Sequence, residues 1–230
     1  MNLKGILFDF NGTLLFDSDM HVEAFRRTYV HYGLEPPRFE YMMKNFFGKP
    51  NRNIYAENFN PDFTEEELEA FIKFKENAYY DVCRELGSDF QLAEGAAEML
   101  DAIKEAGIPY CLATGSEGKT VEFYMERLGL GRWFEYGKNL VYEDGSFKGK
   151  PAPDIYNIAA SKLGLTPSEC LIFEDATTGI MAARAAKPGA IVAVYDKKYA
   201  SPLTDGITVD RVYHDHRLWR ETLADYGLMR

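Results

Sequence analysis

No long uninterrupted apolar run occurs anywhere in the 230 residues. A membrane-spanning helix needs about 20 apolar residues in succession, so a spanning segment is excluded. The start of the chain also lacks the basic, apolar and small-residue order of a signal peptide. Cysteine is scarce. Cys83, Cys111 and Cys170 are the full set, an odd number without framework spacing, and the last two lie in or beside apolar runs where Cys is a small core residue. A disulfide scaffold is thereby excluded, and a reducing, cytoplasmic setting is expected. Positive charge is short as well, with 26 Lys and Arg against 36 Asp and Glu for a net −10. That balance disfavours nucleic acid and anionic membrane alike, while an anionic small molecule can still be held in a locally positive site. Internal repeats and low-complexity segments are missing too.

What is present is the ordinary 46% hydrophobic content of a chain able to bury a substantial core. The length suits one large domain, or a core with a smaller insert. Leu3 to Phe8 is a short apolar run that reads as a buried strand and delivers Asp9 at its carboxyl end; Gly12 and Thr13 then turn the backbone at once. Open α/β sheets keep their ligand sites outside the carboxyl ends of strands. An Asp there serves as a nucleophile toward phosphorus or as a magnesium ligand, although a lone strand-end Asp more often caps a turn.

From Asp17 to Phe90 the pattern is helical only. Val22, Phe25, Tyr29 and Tyr32 recur at helical spacing before Gly33, a second helix is expected over 39–47, and a third follows Pro50. The stretch from Pro61 to Glu67 is an N-cap signature with acids in the first turn, opening a long helix to about Leu86. Beyond Leu92 helices and strands alternate. Helices are expected over 95–106, 119–128, 153–163, 177–186 and 218–226, and strands over 108–113, 170–173, 191–194 and 209–213. Residues 140–142 are apolar, and Asp144-Gly145 reads as a hairpin-type turn leading to Phe147. Such alternation implies a parallel sheet covered on both faces. The expected fold is therefore α/β: a Rossmann-like parallel-sheet core from residues 1–16 and 92–230, with a small all-helical cap domain, 17–91, inserted after the first strand and lying over the strand ends.

Four stretches in order carry a specific resemblance. They are Asp9-Phe10-Asn11-Gly12-Thr13, Thr114 in Leu112-Ala113-Thr114-Gly115-Ser116, Lys150 in Gly149-Lys150-Pro151-Ala152-Pro153-Asp154, and Glu174-Asp175 in the run from Phe173 to Ile180. Over essentially its full length the chain resembles the haloacid dehalogenase superfamily, in the subgroup with a helical cap after the first motif, close to β-phosphoglucomutase-like phosphatases. The resemblance implies a phosphohydrolase acting on a small phosphorylated metabolite, either a sugar phosphate or an acyl or aryl phosphate. Asp9 would attack phosphorus and form an aspartyl-phosphate. It further implies Mg²⁺ held by the side chains of Asp9 and Asp175 and the backbone carbonyl of Asn11, with Glu174 a direct or water-mediated partner. Thr114 would donate to a phosphoryl oxygen, and Lys150 would place its cation between that group and Asp9. Substrate contacts are implied for Gly12, Thr13, Gly115 and Ser116. Read singly, Thr114 is equally a helix cap, Lys150 a surface lysine, and Glu174-Asp175 the start of an exposed loop. A monomer is expected, with no nucleic-acid or membrane partner.

One residue departs from the family pattern. The position two after the nucleophile is an Asp in phosphatases and mutases of this kind, where it protonates the leaving oxygen and then deprotonates water or an acceptor hydroxyl. This chain has Asn11. An amide donates a hydrogen bond but does not transfer a proton, so about 10²–10⁴-fold of general acid–base help is lost. Activity is thus expected to be reduced or trapped. Three explanations stay open: an enzyme suited to leaving groups that need no proton, a substitution that traps a complex, or a protein that binds phosphate without turnover. Asn11-Gly12 is also a dipeptide prone to deamidation, which a tightly held turn would suppress.

In the helical insert, His21 stands twelve residues after Asp9, at the spacing of a β-phosphoglucomutase-type active-site His; an exposed helix-face His is the equal alternative. Gly48-Lys49-Pro50-Asn51-Arg52 resembles the subgroup's substrate loop, with Lys49 or Arg52 a candidate for a second anionic group. The Arg is one place late for the mutase pattern, and Glu117-Gly118 replaces the usual Lys and Asn, so a phosphosugar mutase is the weaker reading. A rival class is a P-loop nucleotide enzyme built on Ala113 to Thr120 with Gly118-Lys119-Thr120 at its heart, though it leaves the Asp9 and Lys150 motifs unexplained. His214-Asp215-His216 offers a metal pair on paper but reads as alternation on an edge strand.

Overall fold

The computed structural model describes residues 3–46, 51–59, 63–199 and 207–229. The chain forms two compact units, one from residues 1–16 with 91–230 and the other from 17–90. Among the described residues no helix is long and apolar enough to cross a membrane.

The larger unit is a six-stranded sheet. In chain order its strands are β1 (Gly5–Phe8), β2 (Tyr110–Glu117), β3 (Leu140–Glu143), β4 (Cys170–Glu174), β5 (Ala190–Val194) and β6 (Arg211–Tyr213). They lie in the order β3-β2-β1-β4-β5-β6, and every pairing is parallel. The first strand is therefore central, with Ile6 opposite Tyr110 on one side and Leu171 on the other. Ile6, Leu7 and Phe8 are fully buried, which is why the strand reads as a continuous apolar run rather than an alternating one. Phe8 stacks on Phe173 at 5.1 Å between ring centroids.

Numbered along the whole chain, the described helices are α1 (Ser18–His31), α2 (Phe39–Asn45), α3 (Asn51–Asn58) and α4 (Glu65–Glu85) in the smaller unit. The larger unit holds α5 (Ala96–Glu105), α6 (Gly118–Arg127), α7 (Asp154–Lys162), α8 (Thr177–Ala186) and α9 (Trp219–Asp225). α7 and α8 present Ala159, Ala160, Ala182 and Ala183 to Leu7, Cys111, Ile172 and Ile191 of the sheet, forming one buried layer. Small residues at those positions let the helices approach the strands closely.

The insert is built on aromatics. Phe25, Tyr29, Phe46, Tyr55 and Phe71 form its buried centre, with Phe25 edge-on to Phe46 at 4.8 Å. Each such ring contributes about 2–3 kcal/mol on burial, enough for a unit of this size to hold a core of its own. α4 opens with a capping box in which the Glu67 N–H donates to Thr64 Oγ1 (3.3 Å) and the Thr64 N–H donates to Glu67 Oε2 (2.9 Å). Pro61 and Asp62 of the sequence signature lie outside the described residues.

Two expectations need correction. β2 does not stop at Ala113 but runs to Glu117, with a shift of register against β3 between Ala113 and Glu117. Asp144-Gly145 does turn, with Gly145 at φ 78°, but no hairpin follows. β3 pairs only with β2 among the described strands, and Phe147 packs against the α7 and α8 layer instead of returning along β3.

Candidate active site

Because β1, β2 and β4 are parallel neighbours, their carboxyl ends bring Asp9, Thr114 and Glu174 to one edge of the sheet. The Asp9 N–H continues the ladder to the Phe173 carbonyl at 3.0 Å. The chain then coils tightly: the N–H groups of Thr13, Leu14 and Leu15 all converge on the Phe10 carbonyl, and the Gly12 N–H donates to Leu15 O at 2.7 Å. Gly12 sits at φ +81°, and a Cβ there would lie 2.0 Å from Asp175 Oδ2. Only glycine permits both that backbone angle and the approach of Asp175.

Lys150 Nζ lies 2.5 Å from Asp9 Oδ1 and 2.6 Å from Glu174 Oε1. It is a largely buried ammonium, not a surface lysine. Glu174 is itself 1% exposed. Its Oε1 also accepts the Tyr156 hydroxyl at 2.9 Å, and its Oε2 accepts the backbone N–H groups of Asp175 (2.7 Å) and Ala176 (2.9 Å). A carboxylate offers about four acceptor positions, and these four donors occupy them. A Cβ at position 179 would fall 1.6 Å from Glu174 Oε1, so Gly179 makes room for the carboxylate. Burial pushes the Asp9 carboxyl up, Lys150 pulls it back and Glu174 adds to the rise, leaving it raised to about 7. Burial alone would lower Lys150, but Asp9 and Glu174 outweigh it and hold the ammonium well above the ordinary lysine value.

Asp9, Glu174 and Asp175 present oxygen atoms all within 4.8 Å of one another, and Thr13 Oγ1 donates to Asp175 Oδ1 at 3.3 Å. A donor set made of carboxylate oxygens fits a hard cation such as Mg²⁺.

Asn11 is held at both ends of its amide. Nδ2 donates to the Tyr124 hydroxyl at 2.7 Å, and Oδ1 accepts from Ser116 Oγ at 2.8 Å. Tyr124 is 1% exposed, its ring packed on Phe10 at 4.8 Å. Thr114 is buried and its Oγ1 accepts the Ser116 N–H at 3.1 Å. It does not cap α6, whose N-cap position is Glu117. Gly115 is exposed, with open space where a Cβ would be.

In the insert, His21 is stacked on Tyr79 at 4.2 Å. Lys75 Nζ, 3% exposed, lies 2.9 Å from His21 Nδ1, so the ring proton sits on Nε2, 3.2 Å from Asp17 Oδ2. The simple exposed-face reading of His21 is set aside. Arg52 forms a two-pronged pair with Glu65 at 2.5 and 2.8 Å. Lys49 lies outside the described residues. The P-loop alternative is overturned: residues 115–117 continue β2 and Lys119 is exposed on α6, whereas a phosphate nest needs successive N–H groups curled in a loop. The edge-strand reading of His214-Asp215-His216 also fails, because the three follow β6. His216 is buried and 2.9 Å from the Thr13 carbonyl. Sequence reasoning missed Tyr124, Tyr156 and Gly179 outright, since buried aromatics and a helical glycine give no signal without their partners.

Fold and site together define an α/β enzyme whose polar centre gathers carboxylates and one lysine at the carboxyl edge of a parallel sheet. The chain belongs to the haloacid dehalogenase-like hydrolases, whose family model matches residues 3–187. It is 30% identical over 189 residues to fructose-1-phosphate phosphatase of Escherichia coli, covering 81% of this chain and 94% of that protein. It is 27% identical over 184 residues to a phosphorylated carbohydrates phosphatase of Thermotoga maritima, covering 80% and 82%. Among solved structures, a haloacid dehalogenase hydrolase of family IA, variant 3, from Entamoeba histolytica matches with a TM-score of 0.83 at 30% identity over 93% of both chains. The family resemblance, the α/β fold and the hydrolase assignment read from the four motifs are borne out.

Proposed function

We propose that the chain is a Mg²⁺-dependent phosphatase of small phosphorylated carbohydrates, working through an aspartyl-phosphate on Asp9 and limited by Asn11. The sugar-phosphate phosphatases among its relatives support the substrate class. One observation carries the chemistry: a buried carboxylate at the end of β1 with the Lys150 ammonium 2.5 Å from its Oδ1. In this reading an Asp9 oxygen attacks phosphorus, and the new P–O bond forms as the bond to the leaving oxygen breaks. Lys150 and the Thr114 hydroxyl take up charge on the phosphoryl oxygens, with Gly12, Thr13, Gly115 and Ser116 around the same group. Water then displaces Asp9 at phosphorus and frees inorganic phosphate. Asp9, Asp175 and the Asn11 carbonyl would hold Mg²⁺, which would supply the positive charge that lets a dianion approach a carboxylate. Glu174, its acceptor positions filled by four donors, would be a water-mediated partner of that ion. For Arg52, a substrate role means giving up its Glu65 pair, whose solvent-exposed groups hold each other only weakly.

The Asn11 amide transfers no proton, so substrates whose leaving group departs unprotonated turn over fastest, and aryl and acyl phosphates outrun alkyl ones. A mutase must move a proton at this position in both directions and is disfavoured. The test is phosphate release from p-nitrophenyl phosphate, acetyl phosphate and fructose 1-phosphate with and without Mg²⁺, for the wild type and Asp9→Ala. Release that needs both Mg²⁺ and Asp9 is expected. Binding of a phosphate analogue without turnover of any substrate would make the chain a binding protein instead.

A further inference from the structure

The C-terminal segment after β6 lies beyond the family-model match at 3–187, yet it reaches the nucleophile loop. His216 is 2% exposed, and its Nε2 lies 2.9 Å from the Thr13 carbonyl. A carbonyl only accepts, so the ring proton is on Nε2. The backbone N–H of the same residue donates to Glu94 O at 2.9 Å. Beside it Gly95 sits at φ +83°, where a Cβ would lie 2.6 Å from the His216 carbonyl carbon and 2.8 Å from its oxygen. One residue further back, the Ala93 N–H donates to Leu14 O at 2.8 Å. His216 thus bridges Thr13, on the chain leaving the nucleophile loop, and Glu94, on the chain returning from the insert, beside the direct bond between Leu14 and Ala93. The Thr13 so held is fully buried and donates its hydroxyl to Asp175.

We propose that His216 is a positioning residue for this hydrolase: its Nε2–H fixes the Thr13 carbonyl, and through Thr13 the turn that carries Asp9 and meets Asp175. The ring faces Phe173 at 5.8 Å, and burial holds its pKa down at about 4 against smaller upward pulls from the Thr13 carbonyl and Asp215. The imidazole is therefore a neutral, constant donor near neutral pH. Histidine suits the place because one end of a rigid ring can donate to the carbonyl of a fully buried residue, which is costly to leave unpaired. The assignment rests on the reading of Asp9 and Asp175 as the reacting and metal-holding carboxylates.

The experiment compares wild type with His216→Phe, which keeps a ring of similar bulk without a donor, and His216→Gln, whose Nε2 restores one. With Mg²⁺ and p-nitrophenyl phosphate, His216→Phe is expected to lower kcat by about tenfold to a hundredfold while KM stays within about twofold, since a small misplacement of reacting groups costs that much. His216→Gln recovers a large part of the loss. Hydrogen exchange, read without any substrate, should quicken in the peptide covering 9–17 for the Phe variant and not for the Gln variant. Equal impairment of both variants, or unchanged exchange and kcat in the Phe variant, overturns the proposal. A nitrogen-resolved NMR spectrum of the wild-type imidazoles decides it even if the variants fold poorly: a proton on Nδ1 refutes it, and a slowly exchanging proton on Nε2 supports it. If the wild type turns over nothing, the phosphatase reading fails, while exchange and NMR still judge the His216 contact.

Discussion

Changing Asn11 to Asp asks a single question of the site, because almost nothing else changes. The two side chains have the same shape, so the Ser116 hydroxyl keeps its 2.8 Å contact to Oδ1. The Tyr124 hydroxyl, now an acceptor 2.7 Å from Nδ2, turns to donate to a carboxylate oxygen in the same place, which a hydroxyl can do by rotation alone. The net change in fold stability should stay within about 1 kcal/mol. The chemical change is large. A carboxyl at this position can hand a proton to the leaving oxygen and later take one from water, worth about 10²–10⁴-fold in rate, or roughly 3–5 kcal/mol of barrier. The gain must fall unevenly. Fructose 1-phosphate, with an alkoxide leaving group, should be accelerated across that range, whereas p-nitrophenyl phosphate should change by less than about tenfold, because its phenolate departs without help. The assay is phosphate release in Mg²⁺ with protein whose residue 11 has been verified by mass spectrometry. Equal acceleration of both substrates, or of neither, would refute the argument that a missing proton transfer is what limits this site.

Three further outcomes are expected. Lys150→Met leaves Asp9 and Glu174 buried without their shared ammonium, and denaturant titration should show a loss of about 3 kcal/mol together with abolished turnover; an unchanged midpoint would mean the pair is hydrated. For His216, an ordinary pKa of 6.5 in the unfolded chain against about 4 in the fold means the unfolded state binds the extra proton first. Its contribution is therefore intact above about pH 6.5 and is lost as pH falls toward 4, by about 3 kcal/mol in total, so the stability difference between wild type and His216→Gln should shift over that window and be flat above it. Asn11 should resist deamidation in the folded state, because the Gly12 nitrogen that must attack its side chain is bonded to Leu15 O at 2.7 Å; peptide mapping after incubation at mildly alkaline pH should find conversion in urea and none in the native protein, and equal rates in both would contradict the locked turn.

Much of this was readable in the sequence, for reasons that differ by residue. The strands β1, β4 and β5 are short, apolar and buried on both faces, so their runs announce them, and Asp9, Lys150, Glu174 and Asp175 were legible through the family resemblance that four ordered motifs carry. The extension of β2 was not readable. Gly115, Ser116 and Glu117 carry no strand propensity, and pairing of Glu117 with Glu143 across the register shift overrides it. Asp144-Gly145 has true turn chemistry, but where Phe147 goes depends on packing against the α7 and α8 layer, which only the assembled fold defines. Tyr124 reads as core because it is core; its hydroxyl matters only through Asn11, 113 residues away. His216 is harder still, 203 residues from the carbonyl it serves.

The central place of β1 also sets an order of events in synthesis. Phe8 pairs with Leu112 on one side and Phe173 on the other, so the first strand made has no complete sheet to join until about three quarters of the chain has left the ribosome. The insert, with its own aromatic centre, is finished long before. A nascent chain therefore carries a folded helical unit beside a bare, wholly apolar strand with both edges unpaired, the kind of segment that invites wrong partners while it waits. Pairings across such separations close slowly. Truncations that end before β4 should consequently aggregate through residues 5–8, whereas residues 17–90 alone should stay dispersed.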